Sequence, residues 1–399
     1  MKRLERSAAG AKKRSLADTL AAIDATALRD ADEDRVITWI HGALEALVRD
    51  VERGTLTRRA LRTRLSEPML ADALETAVPT EDALREASRA IAGRAPIGRV
   101  AMVLPSNVET AVVRPLIWAL LARDAIAMRV SSRCPGIARA LVKRLLDRDR
   151  SLGLALAVLE SDREDPTSLA ALSSWADVVH AWGHDETITS LATAMDRDVV
   201  AHGSGLSLAV ITRDEAGALD VDALARDVAR HDQRGCLSPA AVLLEEGAAI
   251  DAPTLAERLY DALSGLEAAW PRGKVEKGEL ARVRAWRDTA QAIGEWIGVG
   301  EHHAVSAELG AIRDSPGLRH VAVHVQSKHA IETLLARLGP RLKCLGVVDV
   351  DAWSARAPRA AHVVALGEMQ TPALLAPADG APPWHGFVGP RGTDEVSRA

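Results

Sequence analysis

The segment Asp232-Gln233-Arg234-Gly235-Cys236-Leu237-Ser238-Pro239 separates an amphipathic helical stretch from the apolar run 240–244. Its glycine and proline predict a turn, and the run after it predicts a buried strand. A cysteine is by default a small buried apolar residue. Here, however, a cation and a flexible glycine precede the thiol, and nearby backbone N–H groups can stabilise a thiolate. This frame favours Cys236 as a nucleophile presented to a substrate.

The two other cysteines lack this combination. Cys134 stands between an arginine and a proline, and Cys344 lies inside the apolar run 343–348, so both are interpreted as structural. Three widely spaced cysteines predict neither a disulfide framework nor a metal site. A reducing cytoplasm is the compartment that fits this pattern.

Composition excludes several classes of protein. A chain of 399 residues exceeds what one hydrophobic core usually serves, so two large domains are expected. A total of 50 Lys and Arg against 55 Asp and Glu gives a net charge of −5, which argues against a general nucleic-acid binder. No apolar run approaches about 18 residues, so we expect no membrane span. The basic segment Met1–Arg14 is followed by no apolar region, which argues against a signal peptide.

Hydrophobic periodicity divides the chain into four parts. Apolar residues at helical spacing predict an N-terminal helical region over 1–92. Beyond it, short β-like runs alternate with amphipathic helices, which predicts parallel sheets in two α/β domains, 93–212 and 213–376. The Pro- and Gly-rich end, 377–399, is expected to be a mostly irregular tail. We expect Cys236 near the seam between the two domains, where ligand sites are common. The predicted strands cover 99–104, 125–130, 153–159, 177–182, 206–211, 240–244, 320–325, 345–348 and 362–366.

Five further segments, read together with the Cys236 turn, resemble the aldehyde dehydrogenase superfamily. The similarity extends along the sequence from about Gly98 to about Gly380. It is closest to the acyl-CoA reductase branch of LuxC-type fatty-acid reductases, which includes the reductase subunit of bacterial bioluminescence. After the turn itself, the most specific piece is Leu366-Gly367-Glu368-Met369-Gln370-Thr371-Pro372. The resemblance implies an aldehyde-dehydrogenase-like α/β fold, with a Rossmann-like nucleotide-binding domain and a catalytic thiol domain.

The resemblance also implies catalytic residues besides Cys236. Asn107, in Pro-Ser-Asn, stands where the superfamily has an Asn whose amide helps form the oxyanion hole, together with the backbone N–H of the cysteine. A plain turn and helix N-cap is the alternative for this segment. His202 falls at the position of the superfamily's deacylating glutamate if Ser207 is aligned with its serine. His202 then either assists proton transfer or is a structural histidine in a Gly-rich turn.

The missing glutamate bears on the type of reaction. Without a base at this position, water attacks a cysteine thioester slowly, because general-base catalysis is lost. A dehydrogenase that hydrolyses its thioester would be impaired by this change. A reductase benefits from it, since its acyl-enzyme must wait for hydride.

The segment Arg129-Val130-Ser131-Ser132-Arg133 differs from the superfamily's Lys-Pro-Ser-Glu in a way that bears on the cofactor. Arg129 stands at the Lys position, Ser132 replaces the acid that favours free ribose hydroxyls, and Arg133 adds a second cation. Together with Ser131, these residues favour a 2′-phosphate and therefore NADPH over NADH. Surface arginines without a ligand are the alternative.

Two more segments complete the implied cofactor site. Gly183 and His184 form a tight turn before a helix and resemble the superfamily's Gly-Ser turn, whose backbone faces the pyrophosphate. Glu368 resembles the acid of Glu-x-Phe-Gly-Pro, which holds the nicotinamide ribose.

The resemblance implies NADPH-dependent reduction of a fatty acyl thioester to an aldehyde through a cysteine thioester. The acyl donor is expected to be acyl-CoA or an acyl carrier protein, and the enzyme is expected to be a cytoplasmic homo-oligomer. Two other classes remain open on the residues alone. One is a thiol-dependent acyltransferase or thioesterase, and the other is a non-catalytic acyl-binding subunit.

Overall fold

Two largely parallel sheets form the framework of the protein. A computed structural model describes residues 15–132, 134–161, 166–195, 197–358 and 361–391. Arg133 therefore lies outside the described residues. Helices precede the first sheet: α1 Leu16–Ala21, α2 Thr26–Asp30, α3 Glu33–Glu52, α4 Arg58–Leu61, α5 Glu67–Glu75 and α6 Glu81–Ile91.

The first large sheet has five parallel strands in the order β4-β3-β2-β5-β6. The chain moves outward from β2 through β3 to β4 and then returns to the other side with β5 and β6. This reversal creates a topological switch point between β2 and β5, where open α/β sheets bind ligands. The elements are β1 Arg94–Pro96, β2 Arg99–Val103, α7 Val113–Leu121, β3 Ala125–Ser131, α8 Gly136–Arg148, α9 Arg150–Gly153, β4 Leu156–Ser161, α10 Pro166–Trp175, β5 Val178–Trp182, α11 Asp185–Ala194 and β6 Asp198–His202.

The second large sheet has seven strands in the order β13-β12-β7-β8-β11-β10-β9, and only β9 runs antiparallel to its neighbour. Its elements are β7 Leu206–Ile211, α12 Val221–Ala229, β8 Pro239–Glu245, α13 Ala252–Ala269, α14 Lys277–Ile293, β9 Gly294–Val299, β10 Ala304–Glu308, β11 His320–Gln326, α15 Lys328–Leu338, β12 Leu342–Val347, α16 Val350–Ser354 and β13 His362–Ala365. A final strand, β14 Val388–Arg391, pairs antiparallel with β1. Short 3₁₀ helices cover Glu109–Val112, Ala216–Ala218, Arg230–Gln233 and Gly339–Arg341.

Alternate residues of β2 face two different cores, because helices cover both sides of its sheet. Val100 and Met102 join the core that the N-terminal helices share with this sheet. Ala101 and Val103 face the opposite core, which α10 and α11 complete. The N-terminal helices are therefore packed on the five-stranded sheet, and no helix of the described ranges combines the length and apolar character needed to cross a bilayer.

The α/β class predicted from the sequence is confirmed, and each predicted strand overlaps an observed one. The sheets differ from the prediction in detail. β6, β9 and β10 were not expected, and β9 begins at Gly294, directly after α14 ends at Ile293. β7 belongs to the seven-stranded sheet, so the chain changes sheets between β6 and β7, upstream of the boundary placed at 212. The four-part division itself stays a prediction.

Residues 377–387 of the C-terminal segment lie outside helices and extended strands, and Val388–Arg391 form a strand. β14 pairs with β1, and Phe387 is buried in the core shared by the N-terminal helices and the five-stranded sheet. Trp384 packs against Trp118 with ring centroids 5.6 Å apart. The segment thus runs from the end of the seven-stranded sheet back to the five-stranded sheet and ties the two together.

We predict that Gly136→Ala lowers the thermal midpoint by several degrees. Gly136 begins α8, and a Cβ there would lie 1.7 Å from the Leu61 carbonyl oxygen, so the backbones of α4 and α8 must separate. Overpacking of this kind costs about 1–3 kcal/mol. Gly265→Ala is the control, because Gly265 lies within α13 and a Cβ there meets no atom within 4 Å. Calorimetry should show the control unchanged or stabilised, and equal midpoints for both variants would contradict this account of the packing.

Candidate active site

Cys236 lies where the carboxyl ends of the five-stranded sheet meet the amino ends of the seven-stranded sheet. It is exposed, and it lines a cavity of about 120 Å³ together with Gly205, Ser207 and Ser315. The Ser207 hydroxyl donates a hydrogen bond of 2.7 Å to the Cys236 carbonyl oxygen. The thiol therefore lies between the two large sheets.

The turn before Cys236 has an unusual backbone. His231, Asp232 and Gln233 have φ values of 54°, 52° and 55°, which is the left-handed region. Each such residue other than glycine costs on the order of 1–2 kcal/mol. The Gln233 side chain offsets part of this cost, because its amide donates to the carbonyls of Pro239 and His320 at 2.9 and 3.0 Å and accepts from the His320 N–H at 2.7 Å.

A buried carboxylate holds the same turn. The Asp232 side chain pairs with Arg319 at 2.8 Å and with Arg234 at 2.8 Å, and it accepts a hydrogen bond from the Gly273 N–H at 3.0 Å. The Asp232 and Arg319 side chains are 1% and 0% exposed, so each charge depends on the other for its solvation. Arg234 also pairs with Glu279 at 3.1 Å. The cation that precedes the thiol is therefore part of an ion network that shapes the turn.

The two most specific segments of the sequence come together at this turn. The Gln370 side-chain amide donates to the Ser238 hydroxyl at 2.5 Å and to the Asp227 and Arg230 carbonyls at 3.0 and 3.1 Å. The Asp227 carboxyl accepts from the N–H groups of Gly367 and Met369. Burial raises the pKa of Asp227 to about 7, although these backbone donors favour its ionised form.

Glu368, the predicted ribose ligand, lies between the two residues that bond to Asp227. Its side chain is exposed, at the turn that follows β13. Gly367, with a φ of 95°, requires glycine for this turn. The contacts of Asp227 thus fix the backbone that presents Glu368.

Asn107 is anchored next to the thiol. Its side-chain amide donates a 2.8 Å hydrogen bond to the Arg234 carbonyl, two residues before Cys236. An amide NH₂ carries two hydrogens, so a second N–H remains beyond this bond. The Cys134 thiol lies nearby and donates to the Ser106 carbonyl at 3.4 Å, whereas Cys344 is fully buried in β12.

His202 ends β6, and both of its ring nitrogens are engaged. Nδ1 lies 2.7 Å from an Asp379 carboxylate oxygen, and Nε2 lies 3.1 Å from Nδ1 of His180. Burial lowers the pKa of His180 to about 3, so its ring is neutral. The His202 ring also stacks on Trp182 with centroids 4.2 Å apart. This environment favours the structural alternative for His202 over direct proton transfer at the thiol.

Four of the predicted cofactor ligands lie at the carboxyl edge of the five-stranded sheet. Ser131 ends β3, Ser132 follows it, and Gly183 and His184 connect β5 to the first turn of α11. Asp185 in that first turn accepts a 2.7 Å hydrogen bond from the Ser204 N–H, so its carboxylate is directed to the loop after β6. These residues flank the switch point between β2 and β5, which fits a dinucleotide.

Arg129 is nearly buried beside the same edge, with 9% of its surface exposed. Its Nε donates to the hydroxyls of Ser161 and Ser168 at 2.7 and 3.1 Å, which directs the guanidinium toward the edge strand β4. Hydroxyl and guanidinium donors side by side suit a phosphate.

The family model described as acyl-CoA reductase (LuxC) matches residues 11–374. The chain belongs to the LuxC family. The resemblance predicted from the sequence is therefore confirmed, and Asp379 lies beyond the stretch that the family model matches.

Curated relatives carry the name long-chain acyl-protein thioester reductase. The Aliivibrio fischeri protein is 30% identical over 151 residues, which cover 36% of this chain and 31% of that protein. The Photobacterium leiognathi protein, reductase 2, is 29% identical over 151 residues with the same coverage. The Photobacterium phosphoreum protein is 24% identical over 237 residues, 57% of this chain and 48% of that protein. The matched stretches thus span less than half the length of these relatives.

Solved aldehyde dehydrogenases share the fold. The NAD-dependent benzaldehyde dehydrogenase of Corynebacterium glutamicum has a TM-score of 0.71 and 14% identity, covering 90% of this chain and 89% of that chain. The glyceraldehyde-3-phosphate dehydrogenase of Methanocaldococcus jannaschii, complexed with NADP, has a TM-score of 0.69 and 9% identity, covering 94% of this chain and 92% of that chain. The aldehyde-dehydrogenase-like fold that the sequence predicted is confirmed.

Several residues near the Cys236 turn were not singled out from the sequence. Lys343 and Asp379 form an ion pair, although 36 residues separate them and one lies in the segment expected to be irregular. Gln370 was given no role from the sequence, but its side-chain amide contacts the Cys236 turn at Ser238. A lone lysine at the start of an apolar strand was the one available signal for Lys343.

We predict that Asp232→Asn destabilises the protein by about 3–5 kcal/mol, because Arg319 would keep a buried charge without its partner. Denaturant unfolding measures this change. As the turn loosens, the time course of Cys236 alkylation should depart from a single exponential. Asp34→Asn is the control, since that carboxylate is 77% exposed in its pair with Arg85 and should contribute about 0–1 kcal/mol. Similar stability of the two variants would mean that the buried pair does not hold the turn.

Proposed function

We propose that this chain reduces a fatty acyl thioester to the aldehyde, with Cys236 as nucleophile and NADPH as cofactor. The observation that carries the proposal is an exposed thiol together with the Asn107 amide. That amide bonds to the backbone carbonyl two residues before the thiol. Membership of the LuxC family supports it, as do the relatives named long-chain acyl-protein thioester reductases.

In the first step the Cys236 thiolate attacks the thioester carbonyl, and negative charge develops on the carbonyl oxygen. The second N–H of Asn107 and the backbone N–H of Cys236 are the donors we assign to this oxygen. The carbon–sulfur bond to the donor then breaks, and CoA or the carrier's thiol leaves as a thiolate that takes up a proton. The acyl group remains on Cys236 as a thioester.

The residues present fit NADPH at the edge of the five-stranded sheet. When bound, NADPH supplies the hydride that reduces the acyl group. Arg129 and Arg133 would hold the 2′-phosphate, and a neighbour in fold is complexed with NADP. The remaining ligands that we propose are Ser131, Ser132, Gly183, His184 and Glu368.

To yield an aldehyde, the acyl-enzyme must be protected from hydrolysis as well as supplied with hydride. The position of the superfamily's deacylating acid is held here by His202, whose two ring nitrogens face Asp379 and His180. A ring bonded on both sides offers no lone pair to activate water. The acyl-enzyme therefore persists until reduction, and Cys236 leaves again as a thiol when the thiohemiacetal releases the aldehyde.

The wider setting of the reaction is part of the same proposal. Acyl-CoA or an acyl carrier protein would supply the acyl group, the chain would act as a homo-oligomer in the cytoplasm, and nucleotide and thiol chemistry would be divided between the regions 93–212 and 213–376. Family membership supports these points.

We predict that Cys236→Ser abolishes both the acyl-enzyme and aldehyde formation, because a hydroxyl is a far poorer nucleophile than a thiolate at neutral pH. Intact mass spectrometry after mixing with an acyl-CoA, without nucleotide, measures the first effect. Cys344→Ser is the matched control and should still gain the acyl mass. Unchanged acylation of Cys236→Ser would sink the central claim, whereas rapid release of free acid by the unmodified protein would favour a thioesterase.

We also predict that replacing Arg129 and Arg133 with Ala raises the KM for NADPH far more than the KM for NADH. Each charge-assisted contact to a phosphate contributes about 1.5–3 kcal/mol, so the preference should fall at least tenfold. The ratio of the two KM values is the readout, because a general loss of folding affects both nucleotides equally. An unchanged ratio would mean that the two arginines do not bind the 2′-phosphate.

A further inference from the structure

A serine, a histidine and a glutamate outside the Cys236 cavity are hydrogen-bonded in series. Ser264 Oγ lies 3.1 Å from Nε2 of His303, and Nδ1 of the same ring lies 2.8 Å from a carboxylate oxygen of Glu267. His303 directly precedes β10, and the two other residues lie in α13. These three side chains have no part in the reaction proposed above.

The spacing of residues on α13 allows both contacts with one ring. Residues three apart in sequence lie on the same face of a helix, so Ser264 and Glu267 can both reach the His303 imidazole. Tyr260, four residues before Ser264, lies on this face as well. Its ring packs against the His303 ring with centroids 4.8 Å apart. Three side chains of α13 thus fix the orientation of the imidazole.

The loop between β9 and β10 holds His303 from the other side. The Arg287 guanidinium donates to the carbonyls of Gly300 and His303 at 3.1 Å each. Glycine is required at position 300, since a Cβ there would lie 2.5 Å from Cε1 of the His303 ring. The His303 side chain is only 2% exposed. The imidazole is therefore held in one place by the surrounding structure.

The contact with Glu267 determines which nitrogen of the neutral ring carries the hydrogen. A carboxylate only accepts hydrogen bonds, so Nδ1 of His303 is the donor and Nε2 keeps a lone pair toward Ser264. The Ser264 hydroxyl also donates to the Tyr260 carbonyl at 2.9 Å, so its single hydrogen is shared between two acceptors. A histidine held in this tautomer by a carboxylate is the arrangement that activates a serine as a nucleophile.

Ser264 is exposed, so an electrophile can reach its hydroxyl. Next to it, a Cβ on Gly265 would meet no atom of the described residues within 4 Å. One helical turn earlier lies Tyr260, the single tyrosine of the chain, whose ring meets that of Trp296 edge-on with centroids 6.1 Å apart. Gly298 leaves room for both rings, since a Cβ there would lie 2.6 Å from Trp296 and 2.7 Å from Tyr260. Both rings are partly exposed, and they form an apolar surface suited to a hydrocarbon chain.

We propose that Ser264 is a second nucleophile of this chain and that it accepts an apolar acyl group from an activated ester or thioester. Ser264 Oγ attacks the carbonyl carbon while its proton moves to Nε2 of His303. The bond from the carbonyl carbon to the leaving group then breaks, and His303 passes the proton to the departing alkoxide or thiolate. The acyl group remains on Ser264 as an oxygen ester. Oxidation states do not change, so the step needs no nucleotide.

The test uses the full chain carrying Cys134→Ser and Cys236→Ser, so that neither of these thiols takes the acyl group. The probe is p-nitrophenyl octanoate without nucleotide, and release of p-nitrophenolate gives the rate. Acid quenching followed by peptide fragmentation should locate the octanoyl group on Ser264. Ser264→Ala should abolish this acylation. His303→Gln should slow it about 10²–10⁴-fold, the usual contribution of a general base. Glu267→Gln should slow it by at least about tenfold, because an amide no longer fixes the tautomer of the ring.

Ser354→Ala is the matched control. Ser354 is exposed in α16 and donates to the Val350 carbonyl, four residues earlier, at 2.8 Å, but it has no histidine partner among the described residues. This variant should leave the acylation rate unchanged.

An octanoyl group found only on residues other than Ser264 would overturn the proposal, as would an unchanged rate in Ser264→Ala or in a folded His303→Gln. His303 is buried, so if its variant fails to fold, the rates of Ser264→Ala and Glu267→Gln decide. Cys236 is replaced throughout, so failure of the reductase assay and failure of this proposal are separate results.

Discussion

The buried pair of Asp232 and Arg319 is the interaction on which the site depends. It holds three successive residues in the left-handed region, and that backbone delivers Cys236 to the seam between the sheets. Coulombic attraction between these two buried groups, 2.8 Å apart, offsets part of the steric cost of this conformation. Arg234 extends the pair to Glu279 on α14, so the turn is fixed from two directions.

The rest of the site is arranged around this fixed turn by groups from both sheets. Asn107, after β2, bonds to the backbone just before the thiol, and Ser207, in β7, bonds to the thiol residue's own carbonyl. Gln370 reaches the same turn from the segment after β13. Each of these groups is held by a hydrogen bond to backbone. Small movements between the two sheets would therefore change the position of Cys236 directly.

The sequence was informative where local chemistry decides the structure. Gly235 and Pro239 predicted the Cys236 turn, and apolar runs such as 125–130 and 320–325 predicted the central strands, because buried parallel strands are apolar on both faces. β6 and β9 were not predicted from the sequence, because β6 contains Asp198 and His202 and β9 is bounded by glycines. Edge strands of this kind are defined by their neighbours rather than by their own composition.

The candidate site was predictable to the extent that family resemblance supplied it. Cys236 and Asn107 came from short motifs, and the structure brings them together. Contacts made at long range were not visible in the sequence. Asp232 meets Arg319 across 87 residues. Lys343 is an extra residue of β12 relative to β7, and this bulge depends on the register between the two strands.

The C-terminal segment also has a consequence for the order in which the protein matures. Arg94, in β1, bonds to the carbonyl of Gly389, 295 residues later, so β1 finds its partner only after that distant segment has been synthesised. Chains fold from the N-terminus during synthesis, and every strand of both large sheets precedes Asp379. A nascent chain therefore completes the strands of both large sheets before Asp379 can reach Lys343 and His202. The link that Asp379 makes between the two sheets thus forms after the strands that it joins.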